Sequence, residues 1–292
     1  MRTSFSQLLA AATLLALAHG TLAAERKLVL IAGRPSHPPG MHEFRAGSLL
    51  LQKCLAGVPG LQTTVATNGW PKEESVFQGA DAVVIYADGG NGHPAIQGEH
   101  LRQLSTLVNK GVGFGVMHYG CEIPADRGGS EFKAWIGGYY EDKFSCNPIW
   151  KPSFQAFPSH PIARGVQPFV AEDEWYFNMR FREDPQGIVH VLVARPSDAV
   201  RDGPYVWPKG PYPHIQAAKG RDETMLWAVE RPDGGRGFGF TGGHFHKNWG
   251  EEQFRKVVLN ALVWVAKAEV PASGVPSQVS GDELQQNLDV KK

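Results

Sequence analysis

Five of the eleven histidines stand beside segments that read as strand ends. Imidazole suits acid–base work near neutral pH or metal ligation. His37 and His42 flank the loop after a first apolar run, and His118 closes another in Val116-Met117-His118-Tyr119-Gly120. His244 and His246 follow a late run, in Thr241-Gly242-Gly243-His244-Phe245-His246. On an extended segment side chains two apart face the same way, so His244 and His246 could share a metal with His118. The alternative is a loop with one of the pair near a helix start capped by Asn248 and the other in solvent. No HExxH pattern is present, and Cys54, Cys121 and Cys146 match no zinc spacing.

Acids interleaved with aromatics suit sugars, because carboxylates accept from hydroxyls and rings stack on pyranose faces. Glu172-Asp173-Glu174 runs into Trp175 and Tyr176 in this way, and Glu174 could equally act as base or oxygen ligand. His42-Glu43 is a second acid–imidazole pair, at a helix start where the dipole favours the carboxylate. A nucleophile is less well supported. Hydrolases on related sheets carry Ser or Cys on a strained strand-to-helix elbow. Here that position falls on His118, with Cys121 three residues later and past the turn. Three cysteines allow at most one internal disulfide, and Cys121–Cys146 is the first pair to test.

The elements that must position these groups follow from periodicity. Continuous apolar runs at Lys27–Ala32, Leu61–Thr67, Ala82–Ala87 and Val112–His118 read as buried strands. Helical spacing runs from Phe44 to Leu55, from Leu101 to Val108 and, at the end, from Phe254 to Val265. Val170–Phe177, Ile188–Ala194, Met225–Glu230 and Arg236–Thr241 read as later strands. Strands alternating with amphipathic helices argue for an α/β, flavodoxin-like doubly wound, mostly parallel sheet. Its ligands belong beyond the carboxyl ends of the strands, where distant histidines can become neighbours.

Composition narrows the partners. Lys plus Arg equals Asp plus Glu at 29 each, so no net field gathers nucleic acid or an anionic membrane. Arg2, the apolar Leu8–Leu17 run and the small residues at 18, 20, 23 and 24 form a secretory signal-peptide pattern. The expectation is export after cleavage of residues 1–24, with no later segment long enough to span a membrane. Residues 25–268 then form one domain, and the polar 269–292 a surface-wrapping or disordered tail.

The chain also resembles the ThuA-like (trehalose utilisation) family. The resemblance rests on Gly40-Met41-His42-Glu43-Phe44, Gly113–Tyr119, Trp135–Tyr140, Asp173-Glu174-Trp175-Tyr176 and Gly239–Trp249. It implies a class I glutamine amidotransferase-like fold with histidine, His118, in place of the elbow cysteine and His244 as the late histidine. It also implies a disaccharide or its 3-keto derivative as the small substrate. The pattern departs at Pro38, Met41 and Ile149, where the resemblance leads to a small residue, an acid and a histidine.

Together these give an exported enzyme that cleaves a glycoside by hydrolysis or elimination. His118, His244, Glu174 and His42 are its expected catalytic groups. Tyr119, Trp175, Tyr176, Trp249, His37 and Glu43 are its expected substrate contacts. His118, His244 and His246 are the expected ligands of a divalent metal, with zinc the first choice. The competing reading is a non-catalytic carbohydrate-binding or envelope-associated protein on the same fold; a Cys121-dependent glutamine amidohydrolase ranks third.

Overall fold

The computed structural model describes residues 25–291, so the signal-peptide pattern lies outside the described residues. Seven strands form one sheet: β1 (Arg26–Ala32), β2 (Leu61–Ala66), β3 (Ala82–Tyr86), β4 (Gly113–Met117), β5 (Ile188–Ala194), β6 (Glu223–Glu230) and β7 (Arg236–Phe240). Their spatial order is β2-β1-β3-β4-β7-β6-β5. The five strands from β2 to β7 run parallel, and β6 and β5 add an antiparallel edge. Strand order reverses between β1 and β3, which is the crevice where sheets of this doubly wound kind bind ligands.

Both faces of the sheet are covered, which is why its central strands read as unbroken apolar runs. Leu28, Leu30 and Ala32 of β1 pack with α1 (Phe44–Leu55) and the long helix Glu252–Val265. The alternate residues Val29 and Ile31 pack on the other side with α2 (His100–Val108) and α3 (Ser130–Ile136). The chain between β4 and β5 adds three two-residue ladders, one of which pairs Ile149–Trp150 with Asp173–Glu174.

That ladder belongs to the expected strand Val170–Phe177, which is present in interrupted form. Phe169–Val170, Asp173–Glu174 and Phe177 pair antiparallel, in one register, with Ser153–Phe154, Ile149–Trp150 and Cys146, and the residues between them are unpaired. The Asp173 carboxylate is buried in this segment. It accepts the backbone N–H groups of Gly243, His244 and Phe245 and the side-chain amide of Asn248, which ties this segment to the loop after β7. All three cysteines are free, so the Cys121–Cys146 disulfide does not form in this structure. Cys121 is buried and its thiol lies against the Phe240 carbonyl. Residues 269–291 wrap the domain, burying Val270 and Val275 and forming a short capped helix at Gly281–Leu284. No helix among the described residues is long and apolar enough to cross a membrane.

Candidate metal centre

Four loops at the carboxyl edge of the sheet each deliver one side chain to a single point. His42 comes from the loop after β1, His118 from the end of β4, His244 from the loop after β7 and Glu174 from the two-residue ladder. Their ligand atoms all lie within 4.8 Å of one another, and all four residues are buried. His42 Nε2 is 2.9 Å from His244 Nδ1 and 3.0 Å from His118 Nε2. Glu174 Oε2 is 2.6 Å from His244 Nδ1 and 3.8 Å from His118 Nε2.

The outer hydrogen bonds decide which ring nitrogens carry protons. His118 Nδ1–H donates to the Thr241 carbonyl at 3.0 Å, and His42 Nδ1–H donates to the Asp88 carboxylate at 2.9 Å. Both Nε2 atoms therefore turn bare lone pairs toward the centre. Burial, followed by the neighbouring imidazoles, holds His42 and His118 well below the ordinary histidine range, so protonation does not relieve the crowding. Two buried lone pairs at 3.0 Å with no proton between them cost on the order of 1–3 kcal/mol each. A cation removes that cost. Tetrahedral zinc with 2.0–2.1 Å bonds spaces its ligands by about 3.3 Å, close to what these nitrogens show. Three imidazoles and a carboxylate thus form a cluster that can hold a divalent metal, and the donor set does not select zinc over its neighbours.

The local backbone is built for this. His42 and His118 have φ of +49° and +53°, a left-handed conformation uncommon outside glycine and concentrated at functional sites. At His118 it turns the chain sharply off β4, at the position where related folds place their nucleophile. Gly89, after β3, packs so tightly that a Cβ would sit 2.1 Å from the Tyr119 carbonyl oxygen.

A cavity of about 500 Å³ meets the cluster along His42, Glu174 and Tyr176. Tyr119 and His37 also line it, so these expected substrate contacts share its wall. The Tyr176 hydroxyl lies 3.2 Å from His118 Nε2. Four other expectations place residues elsewhere. Trp175 is fully buried against Phe154, Phe240 and Phe254, and Trp249 against Tyr86 and Phe254, so neither is a sugar-facing wall. Glu43 lies off the cavity, ion-paired with Lys291 and accepting the N–H groups of Gly40 and Asp289. His246 is not a ligand. Gly243 at φ +108° and the tight turn beginning at His246 break the extended geometry, and His246 Nε2 bonds the Leu284 carbonyl instead.

Sequence reasoning missed Asp88, Asn147, Glu122 and Trp207. Asp88 had a signal, since it follows a central strand at the same edge as the histidines. Asn147 donates to Glu174 Oε1 at 2.8 Å and steadies the carboxylate. Ile149, where the resemblance leads to histidine, is exposed and does not line the cavity.

The comparisons agree with this fold. A ThuA-like protein of Parabacteroides merdae superposes with a TM-score of 0.57 over 88% of this chain and 94% of its own, at 16% identity. A ThuA-like protein of Bacteroides uniformis gives 0.56 over 83% and 92%, at 13%. A cytoplasmic protein of Salmonella typhimurium gives 0.52 over 82% and 99%, also at 13%. These likenesses show a shared fold. No curated protein matches the chain. The profile of the ThuA family, described as trehalose utilisation, matches residues 40–265, and the chain belongs to that family.

Proposed function

We propose that the protein is a metal-dependent enzyme that cleaves the glycosidic bond of a disaccharide or of its 3-keto derivative, acting outside the cytoplasm. The observation that carries this reading is the meeting of His42, His118, His244 and Glu174 at one point, with His42 and Glu174 on the wall of a cavity. When bound there, a divalent cation supplies Lewis acidity toward a sugar oxygen. Zinc is the first metal to test.

The remaining chemistry belongs to the chain. Burial, then Asp142 and Glu174, push the Glu122 carboxyl up to about 7, so near neutrality it can give a proton to a departing sugar oxygen. Burial keeps the Tyr119 and Tyr176 hydroxyls protonated, as donors to sugar hydroxyls. His37 on the wall is pushed below its ordinary pKa by burial and is a neutral proton acceptor. With a keto group at the third sugar carbon, the adjacent C–H is acidic enough for such a base. Elimination then breaks the bond to the leaving oxygen, which takes the Glu122 proton.

Protein loaded separately with zinc, manganese and nickel should be assayed on trehalose and on its 3-keto form. Cleavage of either that disappears with EDTA and returns with metal is the expected result. No turnover of either sugar with any of the metals overturns the enzymatic reading; sugar binding without turnover points to a binding protein on the same fold.

A further inference from the structure

Trp207 is the only aromatic among the large hydrophobic side chains exposed in the described residues, at 73%. Exposure of so large an apolar ring is informative in a way that an exposed aliphatic is not. It lines the same cavity as His42 and Glu174. Its loop is anchored, with Tyr205 two residues earlier nearly fully buried. Asn147 ties the loop to the centre. Its backbone carbonyl accepts the N–H of Val206, its side-chain oxygen accepts the N–H of Trp207 at 3.2 Å, and its amide donates to Glu174. One side chain therefore fixes both the platform and a ligand of the centre.

The charge on the wall is equally particular. Glu122, Asp142 and Glu174 line the cavity, and no lysine or arginine does. A phosphate or carboxylate on the ring beside Trp207 would meet acids with no cation to pair it. Between Trp207 and the centre stand the Asn147 carboxamide and the Glu174 carboxylate, so the ring at the histidines and a ring over Trp207 are different rings.

We propose that Trp207 is the stacking platform for the distal ring of an uncharged glycoside of at least two rings, whose scissile end lies at the histidine–glutamate centre. This rests on the carbohydrate reading above, but it concerns binding, which can be measured whether or not the sugar is cleaved. Metal-loaded wild type, Trp207→Ala and Trp207→Phe should be titrated calorimetrically with trehalose, glucose and trehalose 6-phosphate. Trp207→Ala should weaken trehalose by about tenfold, the size of one lost stacked ring, and leave glucose within about twofold. Trp207→Phe should recover most of the loss, and the 6-phosphate should bind wild type at least about tenfold more weakly than trehalose. The proposal is overturned by a trehalose affinity indifferent to Trp207→Ala, by tighter binding of the phosphate, or by wild type that binds no neutral disaccharide. Retained binding without turnover removes only the enzymatic reading.

Discussion

Asp88 never meets the centre, yet it sets what His42 can offer there. Its carboxylate takes the Nδ1 proton of His42 and leaves Nε2 as the lone pair facing His118 and His244. Without it, the Nε2-protonated tautomer becomes available and would turn an N–H toward the cation. Asp88→Ala should therefore weaken metal binding by about 10–100-fold while leaving the fold intact, as read by competition with a chromophoric chelator. An unchanged metal affinity would show that the His42 tautomer is set elsewhere. The same residue shows where sequence reasoning stops. Histidines announce themselves by type, and position at the carboxyl edge of the sheet brought attention to His42, His118 and His244. An orienting carboxylate has no such signature, although Asp88 sits at the same edge. Trp175 and Trp249 show the reverse error. Aromatics beside acids resemble a sugar wall, but a large ring gains more from core packing than from a wet surface, and only tertiary contacts decide which occurs.

At the scale of elements, the parallel strands were legible because burial on both faces writes a continuous apolar run into each of them. The 118–187 connection was not, because its order comes from side chains bonding backbone far away in sequence. Asp173 gathering the N–H groups of residues 243–245 is the clearest case. The C-terminal segment is another. Its composition is that of a polar tail, yet Lys291 is buried against Glu43 and also donates to the Met41 carbonyl, bracing the loop that carries His42. Asn287 accepts from Arg45 and Asp289 N–H donates to Glu43, so the contact spans several residues. Removing one partner of a buried pair costs about 3 kcal/mol, because the other charge stays desolvated. Lys291→Met should lower unfolding free energy by roughly that amount in urea titrations and weaken metal binding through the loosened His42 loop. A stability within about 0.5 kcal/mol of wild type would mean that the tail merely rests on the surface.

For the whole molecule, the burial that assembles the centre also sets its response to acid. His42, His118 and His93 all titrate below the ordinary 6.5, each mainly through desolvation, and His93 falls to about 4. An unfolded chain takes up these protons near pH 6.5, whereas the native protein refuses them until lower pH. The unfolded state thus binds more protons in this window, so stability rises with pH there. Above 6.5 these groups contribute nothing; below it each weakens the fold by about 1.4 kcal/mol per pH unit, down to its own folded pKa. Protons do not yet oppose metal binding at His42 and His118 over that range, because both ligands stay neutral in the native protein until lower pH. His93 isolates the effect on stability. It is fully buried, donates from Nε2 to the Gly120 carbonyl and accepts the Ala95 N–H at Nδ1, and it does not belong to the cluster. His93→Gln keeps a donor and an acceptor but cannot titrate. Urea unfolding between pH 6 and 5, with EDTA present, should show a slope shallower than wild type by about 1.4 kcal/mol per pH unit, and metal affinity at pH 7 should be unchanged. An identical slope in the variant would mean that the acid sensitivity arises from other groups, since a neutral buried His93 must contribute one proton to unfolding across that interval.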